Sequence, residues 1–164
     1  MCLIVIQPKG YIFSEPEIED FWSHSPDGFG IMWHDEEGVH GLRSVLSLPR
    51  TIAAYKNYAA GLDCVLHFRM ATHGDVSVKM AHPFLVSEHL LVVHNGIISG
   101  YGKGGVSDTY DFVETELKPV LGPTKRDADS LQNENVQEFI TEIIGWSNSL
   151  VFLDYKGRIT QLGR

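Results

Sequence analysis

Strand-like apolar runs and helix-like stripes take turns along the chain, each bounded by turn residues. Cys2 to Gln7 reads as a strand closed by Pro8-Lys9-Gly10. Pro16 to Ser23 reads as a short helix. Ser14 can cap it, Pro16 suits its first turn, and Glu15, Glu17, Glu19 and Asp20 suit the positive end of its dipole. Gly30 to Trp33 enters a strand, and Asp35-Glu36-Glu37-Gly38 turns it into a second, Val39 to Leu46. Ile52, Ala53, Tyr55, Ala59 and Ala60 have helical spacing within Pro49 to Ala60, and Gly61 ends that run. Cys64 to Phe68 and Leu90 to His94 are strands, and Asp108 to Leu117 is a helix capped by Ser107 or Asp108. Lys125 to Asn133 is polar and reads as a surface loop. Val136, Phe139, Ile140, Ile143 and Ile144 form a helical stripe ended by Gly145, and Asn148 to Asp154 with Arg158 to Leu162 close as a hairpin. This alternation predicts two sheets covered by helices, in one domain spanning 1–164.

Composition narrows the class. The chain has 164 residues, 43% hydrophobic and 21% charged, and a net charge of −8. That charge disfavours nucleic acid and anionic membranes, which reward a basic face. No apolar run approaches the roughly 20 residues of a membrane span, and Cys2 to Ile6 is too short for a signal-peptide core. The expectation is a cytoplasmic protein. Its two cysteines, Cys2 and Cys64, do not make a disulfide framework, and Cys64 reads as an inert buried thiol.

Cys2 invites chemistry. A side chain as small as cysteine permits removal of Met1, which would leave one residue carrying both a thiol and a free α-amine. Such groups titrate near pH ~8.5 and ~8 respectively, so the amine can serve the thiol as base. Three further segments carry residues that folding alone does not demand. In His67-Phe68-Arg69-Met70-Ala71-Thr72-His73-Gly74 a strand runs into Arg, Thr, His and Gly, and the Arg69 fork suits a carboxylate. In Val93-His94-Asn95-Gly96-Ile97-Ile98 the plain reading is a hairpin turn; the functional one is an oxyanion hole from the Asn95 amide and the Gly96 N–H. Ser107-Asp108-Thr109 is a good helix cap. Each has an ordinary explanation alone, but their order behind an N-terminal cysteine does not.

Together these motifs resemble the class II glutamine amidotransferases, over about Cys2 to Leu117. Pro26-Asp27-Gly28-Phe29-Gly30 is similar to the glycine-rich loop of that family, and Ala81-His82-Pro83-Phe84 to a companion segment. The resemblance is strongest to short stand-alone members. It implies the N-terminal-nucleophile hydrolase fold: an α+β, four-layer αββα sandwich of two antiparallel sheets between helical layers. It implies a glutaminase that releases ammonia from the glutamine side chain through a γ-glutamyl thioester. Cys2 would be the nucleophile, Asn95 and Gly96 the oxyanion hole, and Arg69, Thr72, His73 and Asp108 the binding site for the amino-acid end of glutamine. The ammonia would pass to an unidentified acceptor, with a separate synthetase subunit as the expected partner. The segment Ser99 to Gly105 would serve as a lid. The pattern departs from the family at Leu3, Met70 and Tyr110, and at His24, where an Arg is usual. No cofactor is implied. Eight histidines raise a metal site, but His67, His73, His82, His89 and His94 lack any zinc-signature spacing, so no metal is expected. The alternatives are hydrolysis of another γ-glutamyl compound, or a non-catalytic binding protein of the same fold.

Overall fold

The computed structural model describes residues 1–44, 47–70 and 78–164, with the side chain of Met80 outside that description. In chain order the elements are β1 (Leu3–Gln7), α1 (Glu15–His24), β2 (Gly28–Asp35), β3 (Gly38–Ser44), α2 (Leu48–Tyr58), β4 (Cys64–Arg69), β5 (Phe84–Ser87) and β6 (Leu90–Asn95). Then come α3 (Asp108–Phe112), a wide π turn (Val113–Leu117), α4 (Lys118–Leu121), α5 (Lys125–Asp129), α6 (Glu134–Ile144), β7 (Ser149–Asp154) and β8 (Ile159–Gly163). The strands form two sheets in the orders β1-β4-β2-β3 and β5-β6-β7-β8, every pairing antiparallel.

Alternation along each strand builds the layers. On β4, Cys64, Leu66 and Phe68 join Ile18 of α1 and Tyr55 of α2 in one core. Val65, between them, faces the other way and packs with Leu91, Val93, Val151 and Leu153 of the second sheet. On β6, Leu90 and Val92 meet Phe112, Leu117, Leu121, Ile140 and Ile144 from the helices beyond. The layer order is therefore helices, sheet, sheet, helices, the αββα sandwich that the resemblance implies.

Several local signals behave as read. Ser14 donates its N–H to the Glu17 carboxylate at 2.7 Å at the start of α1, and Gly145 ends α6 with φ +75. Others are corrected. Lys125 to Asn133 is α5 and a following turn rather than a loop. Thr124 and Asp127 exchange hydrogen bonds as a capping box, and Ala128 and Leu131 are buried against the second sheet. The helix from Asp108 does not stop at Lys118-Pro119, because Pro119 falls in the first turn of α4, where its missing N–H costs nothing; Gly122 follows the last turn. Phe139, assigned to the apolar stripe, is 46% exposed. Phe84–Ser87, for which the pattern gives no element, is an edge strand with a bulge at Leu85. Asn95-Gly96 is not a hairpin: Asn95 pairs with Ser149, and the chain leaves the sheet for α3. Among the described residues no helix is long and apolar enough to cross a membrane.

Candidate active site

Leu3 lies opposite Phe68, so Cys2 stands beside the Arg69 end of β4. The Cys2 thiol points to the Met70 carbonyl oxygen at 3.8 Å. Met1 is still attached. Its carbonyl accepts from the Ser25 hydroxyl at 3.0 Å, and its ammonium lies 2.9 Å from the Met70 sulfur. A cavity of about 520 Å³ opens here, walled by Cys2 and Leu3, by Asp20, Phe21 and His24 of α1, and by Met70. Arg69 is buried, and its carbonyl accepts from the Asp27 N–H at 2.9 Å, which ties it to the Pro-Asp-Gly loop. Gly30 in that loop region is required by contact: a Cβ there would stand 1.7 Å from the His82 carbonyl oxygen.

The second sheet supplies the other half. Asn95 ends β6, and its side-chain oxygen is buried without a hydrogen-bond partner. Gly96 has φ +133, a conformation that disfavours any side chain. Beyond it the Ile98 N–H donates to Asp108 Oδ2 at 2.7 Å, and the Thr109 N–H donates to Asp108 Oδ1 at 2.8 Å. Ser107, not Asp108, is the cap of α3, accepting from the Tyr110 N–H at 3.1 Å. Asp108 thus anchors the loop after Gly96 to the start of α3, with one lone pair left on each oxygen. Within the glycine-rich segment, Tyr101 is held to Glu116 of the π turn and Gly102 to Asp111 of α3.

The two halves meet at one end of the sandwich. Alternation sets Arg69 on the face of Val65, and Asn95 on the face of Leu91 and Val93, so both belong to the inter-sheet layer. Extended one residue past β1, the same rule puts Cys2 with Ile4 on that layer. A direct bond joins the two strand ends: His67 Nε2 lies 3.0 Å from the His94 carbonyl oxygen. Thr72 and His73 lie outside the described residues.

Three buried histidines back this end. The His67 and His82 rings are 4.1 Å apart and those of His82 and His94 6.4 Å apart. Burial holds His67 down to about 3, and pulls His82 and His94 below their ordinary value, so all three are neutral at pH 7. Among the described residues no group of three His, Cys, Asp or Glu side chains could hold a metal ion. Cys64 is fully buried, and its thiol is pushed up to about 12 by burial and by Asp63. Two residues of this region escaped the sequence reading. They are Ser25 and Asn148, the second of which reads as the first residue of a strand. A fully buried Asn ahead of an apolar strand is an unusual use of a polar side chain, and that was the available signal.

No family model matches the chain. Glutamine–fructose-6-phosphate aminotransferase (isomerizing) of Salmonella paratyphi A is 57% identical over 79 residues, 46% of this chain and 12% of that protein. The protein of the same name from Escherichia coli K12 matches over the same shares. That from Caldanaerobacter subterraneus is 30% identical over 106 residues, 62% of this chain and 17% of that protein. The chain therefore spans less than a fifth of these relatives. A solved glutamine aminotransferase class-II domain protein from Silicibacter pomeroyi superposes with a TM-score of 0.44 at 19% identity, over 78% of this chain and 65% of that one. The chain is thus similar to class II glutamine amidotransferases over the matched part of its length.

Proposed function

We propose that this protein is a glutamine amidotransferase that hydrolyses the side-chain amide of glutamine at Cys2. After loss of Met1, the Cys2 α-amine takes the thiol proton and the sulfur attacks the amide carbon. The tetrahedral oxyanion is held by the Asn95 side-chain amide and the Gly96 N–H. Collapse breaks the C–N bond, the amine returns its proton to the leaving nitrogen, and ammonia departs. Water then cleaves the γ-glutamyl thioester to glutamate and free thiol. Arg69 takes the α-carboxylate and Asp108 the α-ammonium; Thr72 and His73 line the same pocket. A zwitterion held at both ends fixes the amide carbon at the sulfur, which removes much of the entropic barrier. The ammonia goes to an acceptor bound by a separate synthetase subunit.

One observation carries this reading: Arg69 and Asn95 end strands of the two sheets on the inter-sheet layer, and Cys2 stands one residue ahead of β1 beside the Arg69 end. The similar proteins are named as aminotransferases acting on glutamine and fructose-6-phosphate, which fits glutamine as substrate here. Intact mass of the purified chain should show Met1 removed. Cys2→Ala should abolish glutamate release without unfolding the protein, whereas Cys64→Ser should leave turnover per folded molecule unchanged. Wild-type turnover in Cys2→Ala would remove the nucleophile from the scheme.

A further inference from the structure

We propose that Asn148 is the positioning residue of the Asn95–Gly96 turn, fixing the tautomer of His94 and seating both flanks of the oxyanion pair. The inference rests on the glutaminase reading above and deepens it. Asn148 is 2% exposed, and its amide is fully used. Nδ2 donates to the Ile97 carbonyl at 3.1 Å and to the Ile144 carbonyl at 2.5 Å. Both partners are acceptors only, so the amide cannot be turned round, and Oδ1 must be the atom 2.8 Å from His94 Nε2. His94 Nε2 therefore carries the proton.

The consequence runs further. With Nε2 protonated and the ring neutral, Nδ1 is an acceptor, and the Thr109 hydroxyl 2.7 Å away donates to it. Thr109 has one hydroxyl proton. Given to His94, it is withheld from Asp108 Oδ1 at 3.4 Å. Asp108 then keeps that lone pair for a ligand. The backbone of Asn148 is fixed as well: its carbonyl accepts from the Arg164 N–H at 3.0 Å. Asn148 thus grips the residue before Asn95 and the residue after Gly96 at once. It also fills the space beside Gly96, where a Cβ would lie 2.1 Å from Asn148 Oδ1. The Asn95–Gly96 peptide thus lies between two points held by one side chain. Asn148 touches no reacting atom; it acts through His94 and Ile97.

The test uses the full, Met1-processed chain. Long-range ¹⁵N–¹H spectra should show the His94 ring as the Nε2–H tautomer in the wild type and as a mixture in Asn148→Ala. Steady-state kinetics of Asn148→Ala should show kcat down by roughly 10- to 100-fold, with KM within about twofold, since a preorganised donor is used in the transition state. Thr109→Val leaves Asn148 Oδ1 in place and should keep the Nε2–H tautomer, as should Thr109→Ser. If Asn148→Ala does not fold, the threonine pair decides. A folded Asn148→Ala that keeps a single Nε2–H tautomer or loses activity only through KM, or a Thr109→Val that loses that tautomer, overturns the proposal. A wild-type chain that neither turns over glutamine nor is labelled at Cys2 by an electrophilic glutamine analogue overturns the glutaminase reading instead, and the ring signal still decides the tautomer.

Discussion

Cys2 enters the site from one position ahead of an edge strand, whereas Asn95 and Gly96 enter from the end of a central one. β1 has β4 as its one neighbour; β6 lies between β5 and β7. The cysteine thiol has a single long contact, and Met1 beside it is 82% exposed. The Asn95–Gly96 turn is tied through His94, Ile97 and Ile98 to Asn148, Thr109 and Asp108. Under the proposed mechanism the contrast follows from what each half would do. A nucleophile that a peptidase has to uncover, and that must carry an acyl group and lose it, needs access. Donors that stabilise a developing charge help in proportion to how little they must move. An edge position supplies the first condition, and a buried polar network the second.

The largest effect should come from forcing the rigid half. Gly96→Ala puts a Cβ against Asn148 at a φ of +133. Strain of that kind costs about 1–3 kcal/mol before any clash is counted. Activity should vanish and the urea midpoint should fall clearly. On the open half, Cys2→Ala should match that loss of activity with no change in midpoint. Equal stability of the two variants would show that the turn yields and that the contrast between halves is not mechanical.

Asn95→Ala separates rigidity from charge stabilisation. It should lower kcat by roughly 10²–10³ with little change in KM, the signature of a contact made in the transition state. Stability should hold or rise, because the variant removes a buried oxygen with no partner. A pure KM effect would make Asn95 a ground-state contact.

Much of this was legible beforehand, and unevenly. The strands were readable because period-two runs such as Cys64–Arg69 are buried on both faces and stand out against their turns. The candidate site residues stand out as motifs, since Cys2, Arg69, Asn95, Gly96 and Asp108 sit in compact, unusual strings. What the sequence hid was coupling between distant segments. Asn148 lies 54 residues from His94, and no local pattern announces that bond. The Asn95-Gly96 dipeptide misled in the plain reading, because the same two residues that suit a hairpin also suit a strand end with positive φ. Lys125–Asp129 was hidden for the opposite reason: five residues hold too little apolar periodicity to register, and the helix is set by its cap and by Ala128.

The histidines should give a smaller, graded effect on both halves. His67 belongs to the first sheet and His94 to the second, and both stay neutral where an unfolded chain would take up protons. Their folded values are depressed, so the unfolded state binds more protons below pH 6.5 and stability falls as pH drops from there toward about 3. Each group contributes a slope of up to about 1.4 kcal/mol per pH unit in that window. Urea midpoints between pH 7 and pH 5 should decline, and His67→Gln should flatten the decline even if it lowers every midpoint. An unaltered slope would mean that His67 takes up its proton in the folded state.

The smallest effect should come from Asp129, at the far end of the second sheet. Leu90 opposite Asp154 places the Tyr155–Gly157 turn at the end away from Asn95. There Asp129 accepts from Lys156 at 2.9 Å, from Tyr155 at 3.0 Å and from Arg158. Lys156 and Arg158 hold its carboxyl down to about 2. The sign is opposite to that of the histidines in origin, though not in direction. A depressed carboxylate contributes above its unfolded value near 4 and loses that contribution as pH falls through about 2. The group is partly open to water, so salt should screen the effect. Asp129→Asn should therefore lower the melting temperature slightly at pH 7 in low salt, less in high salt, and not at pH 2. It should leave kcat untouched, because nothing at that end braces the Asn95–Gly96 turn. A fall in kcat without unfolding would show that the rigid half extends the whole length of the sheet, rather than resting on the contacts that Asn148, Thr109 and Asp108 make at its end.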